Sequence, residues 1–285
     1  AYISITLLKD VPDATGITVS SGKNFTVDFG GHTYTLTGPG AGSTGTETNG
    51  FQLLKDSTIT FKNGTIRIAD NANNIKRIIQ NYADLTLEDM HIYAENQVGG
   101  EDYALSFNCG SISFKGDTDI ITSNENTIAF DVCYWETGGY TEGVTVTFDE
   151  TYTGTINGKI IYDSTDSTKA KLTIHGTGYI GAVDTSDSTT NGTSITVSGG
   201  SFGESVAQYV ADALNYEANA NGIYTYHKTL DEALAVSDTV SSVDAAKPGA
   251  TAVIVTVKNG SDEVKITLKQ NDPYTLKDLP NQGYI

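Results

Sequence analysis

The segment FDVCYWETGGYTEG, residues 130–143, gathers the side chains best suited to chemistry. Tyr134, Trp135 and Tyr140 supply rings, and Trp135 is the only tryptophan in the chain. Asp131, Glu136 and Glu142 stand among them as carboxylates. Rings against sugar faces, with carboxylates for hydroxyls, suit a neutral glycan. Asp131 with Glu136, or Glu88 with Asp117, could also form the pair of carboxylates, about 5–10 Å apart, that a glycosidase requires. With 35 acidic residues such pairs also arise by chance, and Trp135 can equally serve to cover the side of the fold.

Other groups point less clearly. DSTDST (163–168) and DTSDST (184–189) lie 21 residues apart and could share a corner. Asp163, Asp166, Asp184 and Asp187 could then offer oxygens to calcium. Neither stretch has the full oxygen set of a defined calcium loop, so solvated turns are favoured and no other cofactor is expected. His32, His91, His175 and His227 are scattered, with no i,i+4 pair. The two arginines, Arg67 and Arg77, have no carboxylate cluster at a matching position, which weighs against a lyase.

These residues must be held by a β scaffold. The 285 residues are 38% hydrophobic, with 30 glycines. Asn-Gly pairs at 49–50, 63–64, 157–158, 191–192, 221–222 and 259–260 mark tight turns. Many short β runs between frequent turns indicate an all-β protein. The formal charge of −18 weighs against a phosphate-binding surface, so no nucleic acid is expected. No apolar run approaches the ~20 residues that cross a bilayer, so no membrane insertion is expected.

The β runs repeat. Phe25, Ile59, Leu85, Ile112, Val146, Leu172 and Ile195 start similar phrases at spacings of 34, 26, 27, 34, 26 and 23 residues. Each is followed two residues on by a second apolar side chain, with Thr or Ser between. Alternation turns the apolar pair inward and the hydroxyl outward. The next outward position reads Asp28, Lys62, Glu88, Lys115 and Asp149, alternating in sign. Stacked coils would make these direct neighbours of opposite charge. The pattern predicts a right-handed parallel β-helix of about seven coils, with paired β-sandwiches as the alternative. Asn63-Gly64 is then a corner within a coil and no hairpin. ALSFNC (104–109) and IAFDVC (128–133) align one coil apart, so Cys109 and Cys133 either form a disulfide or pack as two buried thiols.

After Ile195 the texture changes. Apolar spacing predicts a short helix over about 205–215, capping the open end of the coil, so the β-helix with its cap is assigned to 1–227. Residues 228–285 read as a short helix with Thr229 as N-cap and Glu232 at the capping-box position, then a β-hairpin turning at Asn259-Gly260. This small β module is expected to be incomplete, within a monomeric fragment of a longer chain.

The opening ISITLLKDVPDATGITVSSGKNFTVDFGGHT resembles the start of β-helix regions in cell-surface proteins of Gram-positive gut bacteria. The similarity rests on Thr6–Val11, Gly16–Val19, Gly22-Lys23 and Val27–Thr33. SGGSF…YVADAL…GIYTY (198–226) is similar to the closing phrase of such regions, and TLDEALA to the helix that introduces a following unit. VKNGSDEV…YTLKDLPNQGY resembles β-grasp surface repeats in outline. The resemblance implies a pectate-lyase-like β-helix in a secreted, wall-attached, adhesin-like protein. It brings no catalytic residues, and the Asp-Asp and Gly-His-Gly motifs of polygalacturonase-type hydrolases are missing.

Two functions therefore stand. One is a non-enzymatic surface stalk or adhesin that contacts glycans or host or microbial surface proteins. The other is a glycoside hydrolase or polysaccharide lyase on a β-helix.

Overall fold

The structure is a computed structural model that describes residues 3–42, 47–70, 72, 75–97, 103–134, 140–164, 166, 168–186, 188, 194–259 and 262–271. Trp135, Glu136 and Asp187 lie outside them. The chain is all-β, a parallel β-solenoid of about nine turns rather than seven. Contacts divide it into two units, residues 1–195 and 196–285.

In the first unit every turn contributes to three parallel sheets. The first sheet stacks Ile3–Thr6, Asn24–Asp28, the starts of Thr58–Ile68 and Asp84–Tyr93, then Gly110–Lys115, Val144–Phe148 and Ala170–Ile174. Its register follows the predicted frame: Phe25 opposite Ile59, then Leu85, Ile112, Val146 and Leu172. The paired apolar side chains from Ile59 onward are buried, and Phe114 stacks on Phe148 at 4.5 Å. Between them Thr26, Thr60, Thr86, Ser113, Thr147 and Thr173 run as one outward column.

The expected count missed the turn before Phe25. Ile3–Thr6, Val11–Ala14 and Ile17–Val19 pair with the three strands that follow. Their Ile-Ser-Ile pattern fits the column, but Ile3 and Ile5 are about half exposed, having a described turn on one side only. The second sheet carries Thr33–Leu36, then 65–68, 90–93 and Asp119–Ile121. The third carries Asn49–Leu53, Arg77–Asn81, Tyr103–Phe107, Ile128–Val132 and 159–162.

Asn63-Gly64 is a corner. Thr58–Ile68 bends there from the first sheet to the second, with Asn63 at φ 58°. Asp89 at φ 51° and Gly116 at φ 57° occupy the same place in the next two turns. A left-handed residue is needed at each, and Asn, Asp and Gly are the residues that accept it most readily.

The cysteine alignment is corrected by one residue. Leu105 lies opposite Phe130 and Phe107 opposite Val132, an offset of 25 instead of 24. Cys133 therefore follows in register with Asn108, whose Nδ2 donates to the Cys133 carbonyl at 3.0 Å. Both cysteines are free thiols.

In the second unit, the helix expected over 205–215 is a single 3-10 turn at Ala207–Tyr209. The turn has no side-chain cap, and Val210 returns to extended backbone to bridge Val197. β-branched Val206 and Val210 favour that exit. Tyr216–Ala220 and Ile223–His227 form a hairpin through Asn221-Gly222, both at positive φ. Thr239–Ser242 joins Tyr216–Ala220 to Asp262–Lys269, which pairs in turn with Ala252–Asn259. That hairpin matches expectation, with register running to Asn259 opposite Asp262; Gly260 is outside the described residues. The helix Leu230–Leu234 carries the predicted capping box of Thr229 and Glu232. Leu230 and Ala233 pack with Ala218, Val240, Val264 and Ile266 in one core.

Candidate functional site

The corners that lead from the third sheet to the first stack over successive turns. They present Lys55–Ser57, Tyr82–Asp84, Cys109-Gly110 and, further along, the segment ending at Gly143. Backbone bonds lock them together: Asp84 N–H donates to the Ser57 carbonyl at 2.9 Å and Gly110 N–H to the Gly143 carbonyl at 3.1 Å. A cleft of about 280 Å³ opens along this edge, lined by Lys55, Asp56, Tyr82, Asp84, Tyr140 and Glu142.

Tyr140 stacks on Tyr82, with ring centroids 4.5 Å apart and planes at 24°. The Lys55 ammonium lies over the Tyr140 ring, 5.5 Å from its centroid. Burial pushes the Tyr82 phenol up to about 12, helped by the neighbouring Tyr140. Tyr140 is raised as well, again chiefly by burial. A stacked pair over a polar rim is a surface that can hold a ring and its hydroxyls.

Of the residues singled out in 130–143, Tyr140 belongs to this cleft. Tyr134 acts differently: its hydroxyl donates to the carbonyls of Tyr140 (3.3 Å) and Thr141 (3.4 Å). Lys169 donates to the same Thr141 carbonyl at 2.9 Å, with its ammonium 5.6 Å from the Tyr134 ring centroid. Tyr134 and Lys169 thus brace the segment that carries Tyr140. Trp135 and Glu136 fall outside the described residues, so the Asp131–Glu136 pair has no geometry here.

Asp131 points into a different place. It is buried in the third sheet opposite Ser106, and its Oδ1 accepts the Phe107 N–H at 3.2 Å. Burial raises its carboxyl to about 6, against the opposing pull of Ser106, the Arg77 charge and that N–H. Around it runs a buried polar network that the sequence did not announce. Gln80 Nε2 and Ser106 Oγ both donate to Asn108 Oδ1, and the Arg77 guanidinium lies 4.3 Å from the Tyr103 ring centroid. Outward positions in a strand look solvent-bound from alternation alone, so the signal for burial was missing.

The remaining singled-out groups are engaged locally. Glu88 stands in register between Lys62 and Lys115. Asp166 Oδ1 accepts the Thr168 N–H at 2.8 Å and its hydroxyl at 2.7 Å, and Asp184 Oδ1 accepts the Ser186 N–H at 2.9 Å. Both are turn-closing carboxylates, held below their usual range by these bonds. Asp163 faces the Cys133 thiol instead, and Asp187 lies outside the described residues. Among the described residues no group of three or more His, Cys, Asp or Glu is gathered as a metal site. His91 pairs with Asp119 at 2.8 Å, His32 with Asp10 at 3.2 Å and Arg67 with Asp70 at 3.1 Å.

The fold places the chain among parallel β-helix proteins. No protein-family model, no curated protein and no solved structure matches it. Among the described residues no helix is long and apolar enough to cross a membrane.

Proposed function

We propose that this chain is a non-enzymatic module of a secreted, wall-attached surface protein, a stalk or adhesin that binds glycans. The observation that carries the proposal is the Tyr82–Tyr140 stack set in a cleft with Asp56, Asp84 and Glu142. Aromatic rings give a sugar a flat apolar face, and carboxylates accept its hydroxyl protons. The solenoid suits a stalk, because each turn rests on its neighbours and stacking extends the rod without a new core. The sequence resemblance to β-helix regions of Gram-positive surface proteins supports the extracellular address.

The test is a glycan array run beside a reducing-sugar assay on plant and mucin polysaccharides. Binding without turnover, lost in a Tyr82→Ala/Tyr140→Ala double variant that still shows the wild-type far-UV circular dichroism spectrum and a cooperative unfolding transition, is the expected result. Turnover abolished by Asp131→Asn would replace this function with a glycoside hydrolase that uses the buried carboxyl as its acid.

A further inference from the structure

We infer that the strand Ala252–Asn259 is an interaction edge that pairs antiparallel with the same strand of a second copy, about a two-fold axis at Val255. The inference is independent of the glycan-binding function.

The sheet of the second unit runs in the order Ile223–His227, Tyr216–Ala220, Thr239–Ser242, Asp262–Lys269 and Ala252–Asn259. Among the described residues the last strand pairs on one side only. Its outer side presents backbone N–H and C=O groups that a further strand can satisfy. Soluble proteins blunt such an edge by shortness, charge, proline or a bulge. The strands of the solenoid's first turn show two of these devices: each has three or four residues, and Pro12 lies in the second. Ala252–Asn259 has eight residues, no proline, unbroken register with its neighbour and one charge, Lys258.

The strand is apolar on both faces. Val253, Val255 and Val257 stand opposite Leu268, Ile266 and Val264, on the side of the core. Val253 is nevertheless 47% exposed, because the described sheet ends at this strand, and Ile254 on the opposite face is 65% exposed. A strand added here covers both faces at once.

Charge and sequence favour a second copy as the occupant. At −18, two copies repel one another over much of their surface. The hairpin 252–269 differs, with Lys258, Lys265 and Lys269 against Asp262 and Glu263. Pairing about Val255 sets Val253 against the second copy's Val257, Ile254 against its Thr256 and Lys258 against its Ala252. No like charges then stand opposite each other. Shifted by two residues, either Val257 meets Thr251 or Ile254 meets Lys258. The two-fold pairing is closed, since each copy uses its own edge on the other. A dimer also carries two glycan clefts, which raises avidity for a repeating ligand.

The experiment is sedimentation velocity on the full chain from about 1 to 500 µM. A reversible monomer–dimer equilibrium with no larger species is expected, with a dissociation constant on the order of 10–100 µM, as a small interface gives. Ile254→Lys and Ile254→Glu each set like charges diagonally across the axis and should weaken the dimer about tenfold or more. Both should keep the wild-type circular dichroism spectrum and a cooperative unfolding transition. An equimolar mixture of the two should dimerise again. A monomer over the whole range overturns the inference; if a chain lacking residues 272–285 then dimerises, the edge belongs to the chain's own end. A dimer that Ile254→Lys leaves intact overturns it by assigning association to another surface. Variants that stay apart when mixed overturn the register about Val255.

Discussion

Asp131 and Ser106 face each other across adjacent turns of the third sheet, and the carboxylate also accepts the Phe107 N–H at 3.2 Å. The buried acid therefore has a pH-dependent cost. Its folded pKa of about 6 lies above the ordinary value of about 3.9, so the native state holds the proton more tightly. Its contribution is most favourable below pH 4, is lost as pH rises through 6, and is flat above. The loss is at most about 3 kcal/mol.

Asp131→Asn keeps the acceptor for Phe107 and is neutral at every pH. Urea denaturation should show it equal to the wild type at pH 4 and about 2 kcal/mol more stable at pH 8. The carboxylates held low elsewhere, such as Asp28 and Asp184, act in the opposite direction but cancel in the difference. An unchanged pH profile would show that the Asp131 carboxyl is ionised at no cost.

The corner column makes a second prediction. A Cβ added at Gly116 would come 2.1 Å from Asp89 Oδ1, in a backbone already at φ 57°. Gly116→Ala should destabilise by about 2 kcal/mol or more, combining the steric contact with the left-handed penalty. Asn63→Ala should cost about 1 kcal/mol, and Asn63→Gly less, although both lose the 3.2 Å bond from Asn63 Nδ2 to Asp28. Equal losses for the two Asn63 variants would assign the effect to the side-chain bond instead of the backbone.

The charge column makes a third. Lys62 pairs with Asp28 and Lys115 with Asp149, each at 3.6 Å and partly exposed. Neutralising one pair should change stability little, since exposed pairs contribute ~0–1 kcal/mol. Lys62→Glu is different, because it sets a third carboxylate between Asp28 and Glu88. It should lower the melting temperature by several degrees at low salt and recover much of that in 1 M NaCl. A loss that salt does not relieve would point to packing of the lysine stem.

The column was legible because the period of a stacked coil repeats the same outward and inward choices, so Phe25, Ile59, Leu85 and their successors mark one another. The Ile3–Val19 turn was missed because its strands are separated by short, irregular links and one side of its core is half exposed. The candidate site was legible in part. Tyr140 stood out in an aromatic and acidic stretch, but Tyr82 comes from a corner two turns earlier and resembles any turn tyrosine. No periodicity joins residues 58 apart in sequence across such corners. Gln80 and Asn108, and the burial of Arg77, were invisible for another reason: alternation assigns outward side chains to solvent and says nothing of what covers them.

Aligned at an offset of 24, Cys109 and Cys133 would stack; at the observed 25, Cys133 follows Asn108 and Cys109 lies one step beyond. A shift of one residue along a strand reverses which face a side chain meets. Burial pushes the Cys133 thiol up to about 12, with Asp131 and Asp163 opposing its ionisation further. At pH 8 it is therefore almost entirely the unreactive thiol, whereas roughly a quarter of an ordinary cysteine is thiolate. Cys109 is buried outright. Ellman's reagent at pH 8 should therefore label neither thiol in the time that free cysteine reacts, and both in guanidinium. Mild copper-phenanthroline oxidation of the native protein should form no intramolecular disulfide by mass spectrometry. A bridge formed within minutes would mean that this corner opens far enough to bring the two sulfurs together, and that the register there is the one the simple alignment suggested.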